Sequence, residues 1–237
     1  MKKSLCRFGH LIVSGVLAAL LAGAAASAQQ PPTGYPGMAP LSQYLVADRA
    51  TEIALARSAA PASISDHATV LVLQAHGYVT AVKGSNGFVC VVERGWMSPF
   101  DAPLFWDPKL RGPICFNPPA AKSILPMTYK RTALVLAGRS REQIKKAIEA
   151  ALANKQLPAL EPGAMSYMMS KQGFLDEQYG HWMPHLMFYT STNVDWGADL
   201  PGSPVMLNPQ FHGAPEPVNV LMITVGKWSD GTPAPNM

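Results

Sequence analysis

The fold is decided by residues 69–92, which read TVLVLQAHGYVTAVKGSNGFVCVV. Three runs within this stretch are rich in β-branched and aromatic side chains, as strands are, and they span residues 69–73, 78–82 and 88–92. His76-Gly77 separates the first two runs. Asn86-Gly87, a common hairpin turn, separates the last two. The spacing predicts a three-stranded antiparallel meander, and its two largely apolar faces predict cover on both sides.

Two main helices are predicted on either side of this meander. Residues 42–60 have helical apolar spacing, with Ser42 as a possible N-cap and Pro61 as the stop. Ser140 and Gln143 form a capping box that begins a second helix, which runs to about Asn154. Residues 132–136 fit either a short strand or a lead-in to that helix. Further strands are expected at residues 186–190 and 219–227, so the predicted fold class is α+β, with an antiparallel sheet and helices packed on it.

Long proline-rich loops complete the predicted architecture. Residues 95–128 contain seven prolines with aromatic side chains between them, including Trp106. We expect this segment to be irregular and to lie against the folded body. A stapled, ordered loop is one interpretation, and a lid or a groove wall is another.

Cysteine usage predicts one disulfide. The chain has three cysteines, and Cys6 lies within residues 1–28, which are predicted to be a signal peptide. Cys90 and Cys115 remain, and a pair without C-x-x-C spacing in an oxidising compartment favours a structural bridge over a redox or metal pair. It would close a loop of about 25 residues and contribute about 3.5 kcal/mol in the chain-entropy model.

The N-terminus predicts export. Residues 1–28 combine three basic residues, a short apolar run at 11–21 and an Ala-Ser-Ala site that ends at Ala28, as a cleavable signal peptide does. We expect the mature chain to begin at Gln29 in the bacterial periplasm or outside the cell, with no stable membrane span after cleavage. Residues 29–41, rich in Pro, Gly and Gln, predict a disordered lead. Residues 42–237 are then expected to form a single α+β domain.

The charge of the mature chain argues against nucleic acid as a partner. The full chain has 19 basic and 15 acidic residues. Removing the signal peptide takes away Lys2, Lys3 and Arg7 and no acid, which leaves 16 basic and 15 acidic residues. Such a near-neutral balance predicts no basic surface for nucleic acid.

Three segments resemble a group of uncharacterised exported bacterial proteins. They are DRATEIALARSAAP at 48–61, GSNGFVCVVERGW at 84–96 and PGSPV at 201–205. The resemblance covers most of the mature chain. It implies export and a single domain, and it assigns neither an activity nor site residues.

A candidate site lies in the segment GHWMPHLMFY at residues 180–189. Pro184 argues against a helical His-x-x-x-His metal motif, and in an extended chain His181 and His185 would lie about 13 Å apart. Extension would place His181, Met183, His185, Met187 and Tyr189 on one face, with Trp182, Leu186 and Phe188 towards the core. We therefore predict ligand binding by His181, His185 and Tyr189, bordered by Trp106 from the proline-rich loop.

Two function classes remain open. The first is an exported, non-catalytic domain that binds an unknown small molecule or protein, with no cofactor. The second is a metal-dependent enzyme using copper or zinc, or a hydrolytic enzyme. It would use His181 and His185, with Met183 as a further metal ligand and His212 as a possible third histidine. Histidine and methionine suit copper, but no ligand set in the sequence is complete. Nor does a G-x-S-x-G motif place a nucleophilic serine, and the first class is therefore favoured.

Overall fold

A computed structural model of the protein describes residues 35–208 and 216–235. The predicted signal peptide, residues 29–34 of the predicted lead and His212 lie outside these described residues. All the described residues belong to one compact unit. Its mixed α+β architecture agrees with the predicted fold class at that level.

The described chain forms one sheet with helices against it. The strands are β1 (Thr69–Gln74), β2 (Gly77–Val82), β3 (Val89–Glu93), β4 (Gly112–Phe116), β5 (Met165–Met168), β6 (His185–Ser191), β7 (Val205–Leu207) and β8 (Val218–Thr224). The α-helices are α1 (Arg49–Arg57), α2 (Ala62–Ser65), α3 (Pro118–Ser123), α4 (Leu125–Leu136) and α5 (Arg141–Ala153). The strand order is β2-β1-β3-β4-β5-β6-β8-β7. Neighbouring strands are antiparallel except β1 and β3, which are parallel.

The predicted meander is wrong in its pairing, although its three strands are present. β2 pairs with β1, and β3 lies on the other side of β1 rather than beside β2. The segment with Asn86-Gly87 therefore connects β2 to β3 by passing across the end of β1. Asn86 donates from its side chain to the Ile64 carbonyl at 2.8 Å. A Cβ at Gly84 would overlap the backbone of Thr69, so glycine is what allows the chain to cross β1 this closely.

The burial of these three strands also differs from the prediction. β1 and β3 are mostly buried, but β2 lies at the edge of the sheet and exposes Val79 and Thr80. Cover on both faces therefore applies to the interior strands and not to β2.

The Cys90–Cys115 disulfide is present, as predicted. The two residues face each other across β3 and β4, and both are fully buried. Cys115 was expected in an irregular loop but lies in a strand. The bridge therefore joins two neighbouring strands instead of fastening a loop to the sheet.

The proline-rich segment is more regular than predicted. Residues 95–128 contain β4, α3 and the start of α4, along with short 3-10 helices at Gly95–Met97 and Pro103–Trp106. Its prolines fit because Pro118 and Pro126 lie in the first turns of α3 and α4, where a missing N–H is harmless. Residues 132–136 are the last part of α4 and not a strand.

The two predicted main helices have different outcomes. α5 has the predicted capping box of Ser140 and Gln143. The first helix begins at Arg49 and not at Ser42, because Asp48 accepts hydrogen bonds from the backbone of Ala50 and Thr51 and acts as the N-cap. Before it, Met38 and Ala39 pack on the cluster of buried residues that includes Tyr44 and Trp96.

Both faces of the central strands are covered by helices. On one face, α1 packs on β1, β3 and β4 through a cluster of buried residues that includes Ala56, Val70, Cys90, Val92 and Cys115. On the other face, α3 and α4 cover a second cluster that includes Val91, Ile114, Phe116, Ala120, Leu125, Met187, Tyr189 and Val220. This second face holds the candidate site.

Candidate functional site

A cavity of about 760 Å³ lies between the second face of the sheet and the helices α3 and α4. Most of its lining is apolar, and its polar residues come from several elements. The lining residues are Glu93, Met97, Ile114, Phe116, Ser123, Ile124, Met127, Thr128, Arg131, Leu152, Lys155, Leu157, Pro158, Ala159, Leu160, Met187, Tyr189, Ser191, Glu216, Pro217, Val218 and Val220.

Strand and helix periodicity explain why these residues meet. β4, β6 and β8 each contribute alternate positions, which are Ile114 and Phe116, Met187 and Tyr189, and Val218 and Val220. From α4 come Ile124 at its N-cap and then Met127, Thr128 and Arg131, at the three- and four-residue spacing of one helix face. The residues from Leu157 to Leu160, which follow α5, complete the apolar wall.

Glu93 at the end of β3 supplies a carboxyl group to the cavity wall. Its Oε1 accepts a hydrogen bond from the Thr128 hydroxyl at 3.0 Å. Burial raises the pKa of the Glu93 carboxyl to about 7, although the Thr128 hydrogen bond and the positive charge of Arg131 both act to lower it. The Glu93 carboxyl therefore keeps its proton to a higher pH than an exposed glutamate does.

Arg131 of α4 is held firmly beside Glu93. Its Nη2 donates to Glu216 Oε1 at 2.7 Å, and its Nη1 donates to the carbonyls of Trp96 and Ser98 at 3.2 and 3.0 Å. The guanidinium carbon lies 4.1 Å from the centre of the Phe100 ring. The Arg131 side chain is only 2% exposed, whereas that of Glu216 is 15% exposed. The carboxyl of Glu216 is thus more accessible than the guanidinium that it binds.

The structure separates the four residues predicted to bind a ligand. Tyr189 lines the cavity, is buried, and has its hydroxyl 2.9 Å from Ser166 Oγ; burial raises the pKa of Tyr189. Trp106 lines a second pocket of about 530 Å³ with residues such as Arg139 and Arg141. His181 and His185 line neither of these two pockets.

The two histidines have separate surroundings. His185 is buried at the start of β6, its Nδ1 lies 2.7 Å from the Met183 carbonyl, and burial lowers its pKa. The ring of His181 lies edge-on to Trp228, with 4.9 Å between centroids. Ligand binding by these histidines stays a prediction.

The predicted alternation of β6 is present with its faces reversed. His185, Met187 and Tyr189 are the buried positions, while Leu186 and Phe188 are half-buried. The reason is that α3 and α4 cover the face of Met187 and Tyr189, whereas Phe188 packs on the exposed Trp196 of a loop.

A metal centre has no further support in the described ranges. Within residues 35–208 and 216–235, no group of three or more His, Cys, Asp or Glu side chains is arranged to hold a metal ion. A set made of His181, Met183 and His185 uses a different combination of donors and stays a prediction.

Sequence reasoning missed Glu93, Thr128, Arg131 and Glu216. The available signals were a carboxyl directly after an apolar strand and the three-residue spacing from Thr128 to Arg131. The second signal depends on α4, and residues 132–136 of this helix also fit a short strand in their sequence.

No family model, curated protein or solved structure matches this chain. The resemblance to exported bacterial proteins therefore stays a prediction. Among the residues described, every helix is too short or too polar to cross a membrane.

Proposed function

We propose that this protein is an exported domain that binds a small, largely apolar ligand in the cavity beneath α3 and α4. The observation that carries the proposal is the cavity itself, whose volume of about 760 Å³ lies in the range of ligand pockets. Apolar walls with a few polar groups are the usual lining of such pockets. Export rests on the predicted signal peptide and agrees with the disulfide between Cys90 and Cys115.

Val220 offers a direct test of this site. It lies on the cavity face of β8 and is 4% exposed, so that Val220→Phe would fill part of the cavity. The probe is diphenylhexatriene, a hydrocarbon dye that fluoresces in apolar surroundings. We expect saturable binding of one dye per protein, and at least tenfold weaker binding by Val220→Phe.

Ile223→Phe is the matched control. Ile223 lies on the opposite face of the same strand, pairs with Leu186 and does not line the cavity. Its dye affinity should stay within twofold of the unsubstituted protein. Met127→Trp, which fills the cavity from the helix side, repeats the test if Val220→Phe does not fold, as judged by thermal unfolding. Equal dye binding by a folded filling variant and by the control would contradict the proposal.

The alternative of a metal-dependent or hydrolytic enzyme at His181 and His185 remains a second prediction. We favour binding because neither histidine lines the cavity, although His185 precedes the lining residue Met187 by two positions on β6.

A further inference from the structure

We infer that the ligand of this cavity is an amphiphile with a positively charged amino group, which binds beside Glu93 while its apolar chain fills the rest of the cavity. This inference rests on the proposed function and adds the chemical class of the ligand.

The first argument is the balance of charge at the polar end of the cavity. Two carboxyl groups, Glu93 and Glu216, stand there with one guanidinium, Arg131. Arg131 already binds Glu216 and two backbone carbonyls and stacks on Phe100. Being 2% exposed, its side chain has almost no surface to offer a ligand. The ionised site therefore has one carboxylate more than its buried cation balances.

The second argument is the set of hydrogen bonds that Glu93 makes. Among the described residues, Thr128 Oγ1 is the hydrogen-bond donor to its carboxyl group. An ionised carboxylate accepts about four hydrogen bonds, so most of its capacity remains. Glu93 is partly exposed at a wall of the cavity, where a bound ligand could reach it.

The ligand group that meets both conditions is an ammonium. It supplies the missing positive charge and three N–H donors, and charge-assisted hydrogen bonds of this type are the strong ones. A carboxylate head group would bring a further negative charge next to Glu93 and Glu216. An alcohol could donate one hydrogen bond but would leave the charge of Glu93 unbalanced in apolar surroundings.

Other charged and titratable groups around Glu93 do not change this balance. Tyr189 on β6 and Tyr78 on β2 both have their pKa raised by burial, so they stay neutral at physiological pH. Lys155, after α5, lies in solvent at the edge of the cavity, where its charge is screened. Arg131 and Glu216 are already paired with each other.

A pH dependence follows from the same arrangement. The ammonium binds the ionised form of Glu93, and this group takes up a proton near pH 7 in the free protein. Amine affinity should therefore fall as the pH drops below about 7, by up to about tenfold per pH unit. Binding of an uncharged amphiphile should change little over this range.

The experiment compares three amphiphiles with the same chain, namely dodecylamine, dodecanol and dodecanoate, below the concentrations at which they aggregate. Each displaces diphenylhexatriene from the purified exported protein at pH 8 and at pH 5.5. At pH 8 we expect dodecylamine to bind at least tenfold more tightly than the other two. At pH 5.5 its advantage over dodecanol should shrink to about twofold.

Glu93→Gln removes the charge and keeps the shape of the side chain. It should lose the preference for dodecylamine at pH 8 while keeping its affinity for dodecanol within about threefold. Glu149→Gln, an exposed site on α5, is the control and should bind all three compounds as the unsubstituted protein does.

The outcomes separate the two proposals. If the dye binds but dodecanol or dodecanoate binds as tightly as dodecylamine at pH 8, the amine inference is wrong and the apolar site stands. Retention of the amine preference by Glu93→Gln, or a preference that is unchanged at pH 5.5, also overturns it. If neither the dye nor any of the three amphiphiles binds, the proposed function itself is wrong.

Discussion

Glu52 and Glu93 are two glutamates whose side chains meet very different partners. Glu52 of α1 is 1% exposed, and its Oε1 lies 2.7 Å from Arg94 Nη2 and 3.1 Å from the backbone nitrogen of Leu73. This carboxylate has a cation and a backbone donor in direct contact. Glu93 instead has the neutral hydroxyl of Thr128 at hydrogen-bond distance. Because removal from water disfavours an unpaired charge, Glu93 is the carboxyl whose protonation responds to its surroundings.

At the residue scale we predict that Glu93 makes stability depend on pH. Its pKa rises from an ordinary 4.5 to about 7 in the folded protein, so between these values the folded state binds more protons than the unfolded state. Stability contributed by the neutral carboxyl is therefore present below about pH 4.5 and is lost as the pH rises towards 7. Relative to Glu93→Gln, the unsubstituted protein should lose about 3 kcal/mol of unfolding free energy between pH 4.5 and pH 8.

Urea denaturation of both proteins at the two pH values measures this difference. The comparison removes the contribution of all other titrating groups, since both proteins share them. A difference between the two proteins that is the same at both pH values would show that Glu93 titrates normally.

The sequence contained only part of the candidate site at this scale. Tyr189 could be found because it belongs to a strand with a clear two-residue period. Glu93 could not be distinguished from a solvent-exposed carboxyl, because its burial depends on α4, which lies more than thirty residues farther along the chain. Trp106 was grouped with Tyr189 although the two residues line different pockets. Long-range packing of this kind leaves no local pattern.

At the element scale, local signals predicted where helices and strands occur better than they predicted which strands pair. The capping box of α5 was found because its contacts span only three residues. The pairing of β2 and β3 was predicted wrongly because Asn86-Gly87 fits a hairpin equally well, while the structure uses Asn86 to bind the Ile64 carbonyl. The start of α1 was displaced because both Ser42 and Asp48 are suitable N-caps, and Asp48 is the one that accepts the backbone hydrogen bonds.

The disulfide prediction also belongs to the element scale. Replacing Cys90 and Cys115 together with alanine should lower the unfolding free energy by about 3.5 kcal/mol, because the bridge restricts the unfolded chain over a sequence separation of 25 residues. Urea denaturation of the double variant measures the loss. The unsubstituted protein in reductant should approach the same midpoint, and a loss below about 1 kcal/mol would show that pairing of β3 with β4 does not depend on the bridge.

At the scale of the whole molecule, the prediction concerns export. The Ala-Ser-Ala site at 26–28 predicts a mature protein that begins at Gln29. Intact-mass measurement of the protein recovered from the periplasm or medium should give a chain that lacks residues 1–28. A product of full mass, or one cut at another position, would refute this start.

The position of β8 in the sheet determines when the cavity wall is completed. β8 lies between β6 and β7 in the sheet, although it is the last of the described strands along the chain. β6 also pairs with β5, whereas β7 at the edge of the sheet pairs with β8 alone, so β7 can join the sheet only once β8 is in place. Val218 and Val220 on that late strand form part of the cavity wall. The cavity wall is therefore complete only when β8, the last of the described strands along the chain, has joined the sheet.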